Sequence, residues 1–311
     1  MHAQLQTLCD QFILNRDAVR ASEKMADQMM TAVCAYLFTA KGIPADAAGI
    51  AACKNLVKSR LKWHSTLRGN VMLLLSCILS MEEDPARALT RVEETYTAFR
   101  AHFTAYDHLA LAAILLRNEQ NPDSLAARAR ELYQGMRRQH PFLTGQEDAF
   151  YCLLLCRTNR DENALMAAAE AAYAHLTERF AKADWTQTVS HMVALQDEKP
   201  ECACQKLFDL FDAITLAGGK FGRSWELPAL CALALAAPDA RICAHQVMDA
   251  DRFLSTQKGY GFFGFGKKDR LMHAAMIASC LYGTEGMDSA GLLSTLCIII
   301  ARRAAATAAA V

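Results

Sequence analysis

The sequence predicts an all-α protein made of tandem antiparallel helical hairpins, an α-solenoid or α/α-toroid-like array with a period near 40 residues. Three observations carry this. No stretch alternates between apolar and polar residues with the Val, Ile and Thr enrichment of a strand, and no Asn-Gly marks a hairpin turn. Helical periodicity runs through the chain instead. Short polar breaks recur at Asp84-Pro85, Asn121-Pro122, Asp161-Glu162, Lys199-Pro200 and Ala237-Pro238, spaced 37, 40, 38 and 38 residues apart.

Taken in order, residues 1–67 supply helices at about 3–15, 18–40 and 45–66, expected to cap the first repeat. Residues 68–283 hold the hairpins. Before each break lies an almost wholly apolar segment: VMLLLSCILSM (71–81), LALAAILL (109–116), AFYCLLLC (149–156), VSHMVAL (189–195) and LPALCALALA (227–236). A helix apolar all round must be covered on most sides, so these are inner helices. After each break comes an amphipathic helix that covers them from outside, with a Tyr recurring at 96, 133 and 173. RLMHAAMIASCLYG (270–283) is a sixth inner helix. Asp84 and Asn121 are good N-caps followed by Pro at the first helical position. Thr144 and Glu147 have capping-box spacing. Residues 284–311 read as a C-terminal helix and an alanine-rich tail. Its apolar run AGLLSTLCIIIA (290–301) is shorter than the ~20 residues needed to span a bilayer. The whole is read as one helical-repeat domain.

Composition narrows the class. With 53% hydrophobic residues, 15 Gly and 7 Pro among 311 residues, the chain is neither disordered nor collagenous. Lys+Arg 33 balances Asp+Glu 33, so no global field draws it to nucleic acid or membrane. Twelve cysteines lie mostly within apolar runs and form no C-x-x-C, which points to packing in a reducing cytoplasm. Cys152 and Cys156 share a helix face, but no third ligand completes a shell, so no metal is expected. The N-terminus has no basic stretch followed by an apolar one, so no signal peptide is expected.

In a hairpin stack the two sets of loops emerge on opposite edges. The inner-to-outer loops are short and acidic or Pro-containing. The outer-to-inner loops carry aromatics, glycines and bases: HFTAYD, HPFLTGQ, FAKADW, GGKFGRSW and KGYGFFGFGKK. Exposed aromatics are costly unless they pack or bind. Gly259, Gly261 and Gly264 match G-x-G-x-x-G, but a helix precedes them where a dinucleotide fold needs a strand, so that reading is rejected and no cofactor is expected. Lys267, Lys268 and Arg270 open a helix whose dipole disfavours cations, and a bound anion would relieve this. Lys220, Arg223 and Trp225 repeat the theme one hairpin earlier. The candidate ligand-binding residues are Lys220, Arg223, Trp225, Tyr260, Phe263, Lys267, Lys268 and Arg270, facing an unknown protein or an anionic small molecule. The competing reading is a packed loop with solvated lysines.

The run GFFGFGKKDRLMHAAMIAS, the segment LSMEEDPARAL and the overall length resemble an uncharacterised bacterial family, domain of unknown function 4003. The resemblance implies a bacterial cytoplasmic protein with no assigned activity and transfers no functional residue.

Nucleophile elbows, H-E-x-x-H, P-loop and kinase signatures are absent from the sequence. Asp107, Glu147, Asp148, Glu226 and Asp269 open inner helices on the aromatic edge, where the dipole alone favours them. If the stack closed into a ring they could instead pair as acid and base. From Ala47 to Met81 there is no Asp or Glu, while Lys54, Lys58, Arg60, Lys62 and Arg68 accompany Trp63 and His64. That face could meet phosphates or an acidic partner, though a solvated helix face explains it too and the nucleic-acid signal is not strong. The leading reading is therefore a non-enzymatic repeat protein binding a partner or ligand along its Gly/aromatic/basic rim. The alternatives are an enzyme with a carboxylate-lined site there, and weak nucleic-acid or acidic-partner binding through 54–68.

Overall fold

The computed structural model describes residues 1–139, 145–158, 160–261 and 264–282. Among them are fourteen α-helices, one 3-10 turn and no strand. The helices are α1 (Ala3–Ser22), α2 (Gln28–Ala40), α3 (Ala47–Arg60), α4 (Met72–Leu79), α5 (Pro85–His102), α6 (Asp107–Leu115) and α7 (Pro122–Gln139). They continue with α8 (Asp148–Arg157), α9 (Glu162–Leu176), α10 (Asp184–Ala194), α11 (Pro200–Leu216), α12 (Leu227–Ala236), α13 (Ala240–Ser255) and α14 (Lys267–Ser279). The expected C-terminal helix and tail, and Thr144 of the capping box, lie outside the described residues.

The breaks form for the reasons local chemistry gives. Asp84 accepts the Arg87 N–H at the start of α5, Asp161 that of Ala164 at α9, and Asp239 those of Arg241 and Ile242 at α13. Pro85, Pro122 and Pro200 open their helices, where a missing N–H costs nothing. Three N-terminal boundaries differ from expectation, the first being that the helix expected over 3–15 runs on to Ser22 as α1. The helix expected over 18–40 is broken at residues 23–27, because Asp27 caps α2 by accepting the Met30 N–H. The helix expected to reach 66 stops at Arg60, because Arg68 swings back to take the carbonyls of Lys58 and Leu61.

Burial separates the two helix classes as expected. Every residue from Leu73 to Leu79, Leu109 to Leu115 and Leu271 to Ser279 is buried. The outer α5 buries only Ala88, Leu89, Val92, Thr95, Tyr96 and Phe99. A stripe is enough for a helix with solvent on its other side.

The chain divides into two compact units. In one, residues 16–34 and 45–166, α3 packs on α4, α5 on α6 and α7 on α8, and α5–α7 and α6–α8 stack consecutive hairpins. Ion pairs brace their acidic edge: Glu82 meets Arg117 and Arg91, and Arg128 meets Glu162. In the other, residues 1–15, 35–44 and 167 onward, α10 packs on α11 and α12, α11 on α12 and α13, and α14 on α12 and α13. The chain's first residues join this second unit. Phe12 meets the His273 ring at 6.0 Å, and Tyr36 shares a 3.0 Å hydrogen bond with Ser279.

Candidate functional site

The loop between α11 and α12 is built tightly from its glycines. Gly218 adopts φ +88°, which lets the Gly219 N–H reach back 2.9 Å to the Ile214 carbonyl. A Cβ on Gly219 would lie 2.6 Å from Ile214 Cγ2 and 2.9 Å from Met248 Sδ, so only glycine fits. Phe221 turns inward and is buried. Glu226, 2% exposed, accepts the Ser224 hydroxyl at 2.7 Å and the Ser224 N–H at 3.1 Å. What remains outside is Lys220, Arg223 and part of Trp225. The Arg223 guanidinium lies 5.1 Å over the Phe211 ring.

The loop between α13 and α14 closes on itself. The Phe265 N–H donates to the Gly259 carbonyl at 2.9 Å, and the Gly261 N–H to the Phe265 carbonyl at 3.1 Å. Gly264 passes so near that a Cβ there would sit 2.1 Å from the Gly259 oxygen. The glycines thus serve a tight chain reversal, whereas a phosphate cradle would hold its N–H groups open. Tyr260 is buried and its hydroxyl lies 2.9 Å from Nδ1 of the buried His273. Phe265 stands edge-on to the same imidazole, 4.6 Å away. The aromatics at 260 and 265 therefore pin the loop to α14; Phe262 and Phe263 lie outside the described residues.

The bases fall into two groups. Lys267 and Lys268 are exposed at the start of α14. Arg270 points away from that terminus and forms a bidentate pair with Asp251 of α13, at 2.7 and 2.9 Å. That hydrogen-bonded carboxylate raises the guanidinium's pKa further. The terminus also has its own anion, since Asp269 accepts the Gly266 N–H at 3.1 Å. The structure brings Lys267 and Lys268 together at the surface and turns Tyr260 and Arg270 to packing and pairing.

The acids that open inner helices mostly repeat one device. Asp107 accepts the Asn70 side chain at 3.0 Å, Asp148 the Gly145 N–H at 2.7 Å, and Glu226 and Asp269 the partners just described. Asp148, Glu226 and Asp269 each hold an N–H of the loop leading into their helix, whereas Asp107 reaches back to a side chain of an earlier loop. No group of three or more His, Cys, Asp or Glu residues placed to hold a metal occurs among the described residues.

The basic face of α3 is likewise mostly engaged. Lys54 pairs with Glu23 at 2.7 Å and Arg60 with Glu93 at 2.7 Å, and Arg68 caps the helix. Lys58, Lys62, Trp63 and His64 stay exposed. How far Trp63 stands out was not legible from sequence, because exposure depends on what the fold places beside the turn.

Comparison with known proteins identifies a family and adds no chemistry. Residues 17–305 match the family described as protein of unknown function (DUF4003), and the chain belongs to that family. It is 30% identical over 189 residues to the uncharacterized protein YeaA of Bacillus subtilis (strain 168), a match covering 57% of this chain and 53% of that one. The chain thus spans about half the length of that relative. No solved structure matches.

Proposed function

We propose that this DUF4003 protein is a non-enzymatic helical-repeat scaffold that binds an anionic ligand or an acidic segment of a partner protein. The binding groups are Lys220, Arg223, Lys267 and Lys268, with Trp225 beside them in sequence. One observation carries the reading. The acids of this rim, Glu226 and Asp269, are held by hydrogen bonds to their own loops. Its four bases form no ion pair among the described residues, and Arg223 only stacks on Phe211. A surface of that kind attracts anions and has no carboxylate placed to shuttle protons. Tyr260, Phe265 and Arg270 act beneath it as the frame. The cytoplasm suits the chain, because all eleven described cysteines are free thiols and ten are buried. No described helix is long and apolar enough to cross a membrane.

The test is a thermal shift with phosphate, citrate and polyglutamate on the wild type, Lys267→Ala/Lys268→Ala and Lys220→Ala/Arg223→Ala. A site filled at ~100 times its dissociation constant adds about 2.7 kcal/mol of stability, and each variant should lose most of that gain. Equal shifts in all three proteins would leave only a general salt effect and overturn the proposal.

A further inference from the structure

In the unit containing residues 45–166, a second surface rests on other residues than the rim above. Trp63 is 83% exposed at the turn after α3. The His64 ring meets it edge-on at 5.5 Å, which steadies the indole without covering it. Lys58, one turn from the end of α3, and Lys62 are exposed nearby in sequence and form no ion pair among the described residues. The next loop contributes Tyr106, 40% exposed. Those two loops are neighbours, because the 3-10 turn Thr66–Arg68 packs on α6 and Asn70 donates to Asp107. The nearby acids are accounted for: Glu23 holds Lys54, Glu93 holds Arg60 and Asp107 holds Asn70.

We propose that Trp63, with Lys58, Lys62 and the neighbouring Tyr106, forms a binding surface for single-stranded nucleic acid. The occupant follows from what surrounds the indole. A protein hot spot sits among apolar neighbours that exclude water, and the exposed residues around Trp63 in sequence are Lys58, Ser59, Arg60, Lys62 and His64. A membrane anchor needs an apolar face beside its aromatic, and this turn presents none. A flat π face flanked by two unpaired cations matches a base and its phosphates, since stacking tolerates any base and lysines follow the backbone. The chain's zero net charge supplies no long-range attraction, so binding is local and of modest affinity.

The test is fluorescence anisotropy of a labelled 12-nucleotide oligo(dT) and oligo(U) across a salt series from about 50 to 200 mM. Trp63→Ala should weaken binding about tenfold and Trp63→Phe much less, because a ring is retained. Lys58→Ala/Lys62→Ala should weaken it too and flatten the salt dependence by about 1.4 in log–log slope, the value for two phosphate contacts on a single strand. All three substituted positions are exposed, so unchanged circular dichroism and Tm confirm folded variants. Absence of wild-type binding, equal binding by Trp63→Ala, or Trp63-dependent binding of phosphatidylserine vesicles or polyglutamate at the same strength would overturn the proposal.

Discussion

Arg270 on α14 grips Asp251 on α13 through both of its carboxylate oxygens, with the two side chains only 17% and 10% exposed. The pair joins the last outer helix of the described chain to the last inner one. Its geometry decides whether Arg270 serves the surface or the frame. A guanidinium fixed by two short hydrogen bonds to a buried acid is not available to a ligand.

Arg270→Ala leaves Asp251 buried without its counter-ion. We expect a loss of about 3–5 kcal/mol in urea unfolding, whereas Arg270→Met combined with Asp251→Leu should recover most of it. If the single variant lost under about 1 kcal/mol, the pair would be a surface contact of little worth.

The inner helices give a second expectation. Leu111→Ala on α6 and Leu230→Ala on α12 truncate fully buried side chains and should each cost about 2–5 kcal/mol. Leu216, 89% exposed at the end of α11, provides the control, and Leu216→Ala should stay within about 0.5 kcal/mol. Denaturant midpoints at constant m-value check both.

The Gly-rich loop is expected to resist side chains at Gly259 and Gly261, which take positive φ, and above all at Gly264. Gly264→Ala forces the loop open, since its new Cβ would collide with the Gly259 carbonyl. Tyr260→Phe removes the hydroxyl facing His273 and should cost about 1–3 kcal/mol as a buried polar partner is lost. Raised hydrogen exchange confined to residues 258–270 in Gly264→Ala would report the opening; an unchanged pattern would contradict it.

The thiols set an upper pH limit. Burial pushes Cys9, Cys204 and Cys280 up to about 12 from 9.0. The folded state keeps protons that the unfolded chain releases, so this stabilisation is complete below pH 9 and is lost as pH rises from 9 towards 12. Urea midpoints should fall steadily across pH 9–11, less so in Cys204→Ala. At pH 8 in a Cys297→Ser background, a single thiol should react with Ellman's reagent, and Cys202→Ser should abolish it, because Cys202 is the exposed cysteine among those described.

Much of this architecture is legible in the residues alone. An apolar run such as LALAAILL cannot face water, and an Asp-Pro pair both caps a helix and permits its first turn, so the alternation of inner and outer helices and the positions of the breaks follow from local rules. The same rules read the acids at the starts of inner helices as dipole partners, and Asp148, Glu226 and Asp269 do hold the adjacent loop N–H groups. Which cation stays free is a different kind of question. Lys267, Lys268 and Arg270 look alike as a basic triplet, yet Arg270 is claimed by an acid 19 residues away that only the packing of α13 against α14 brings within reach. Tyr260 turns inward for the same reason, because its partner His273 lies on the next helix, while Trp63 stays outside because Arg68 ends α3 early. Periodicity and capping are local and are written in the chain. The partner of a long polar side chain is decided by whatever folding places beside it.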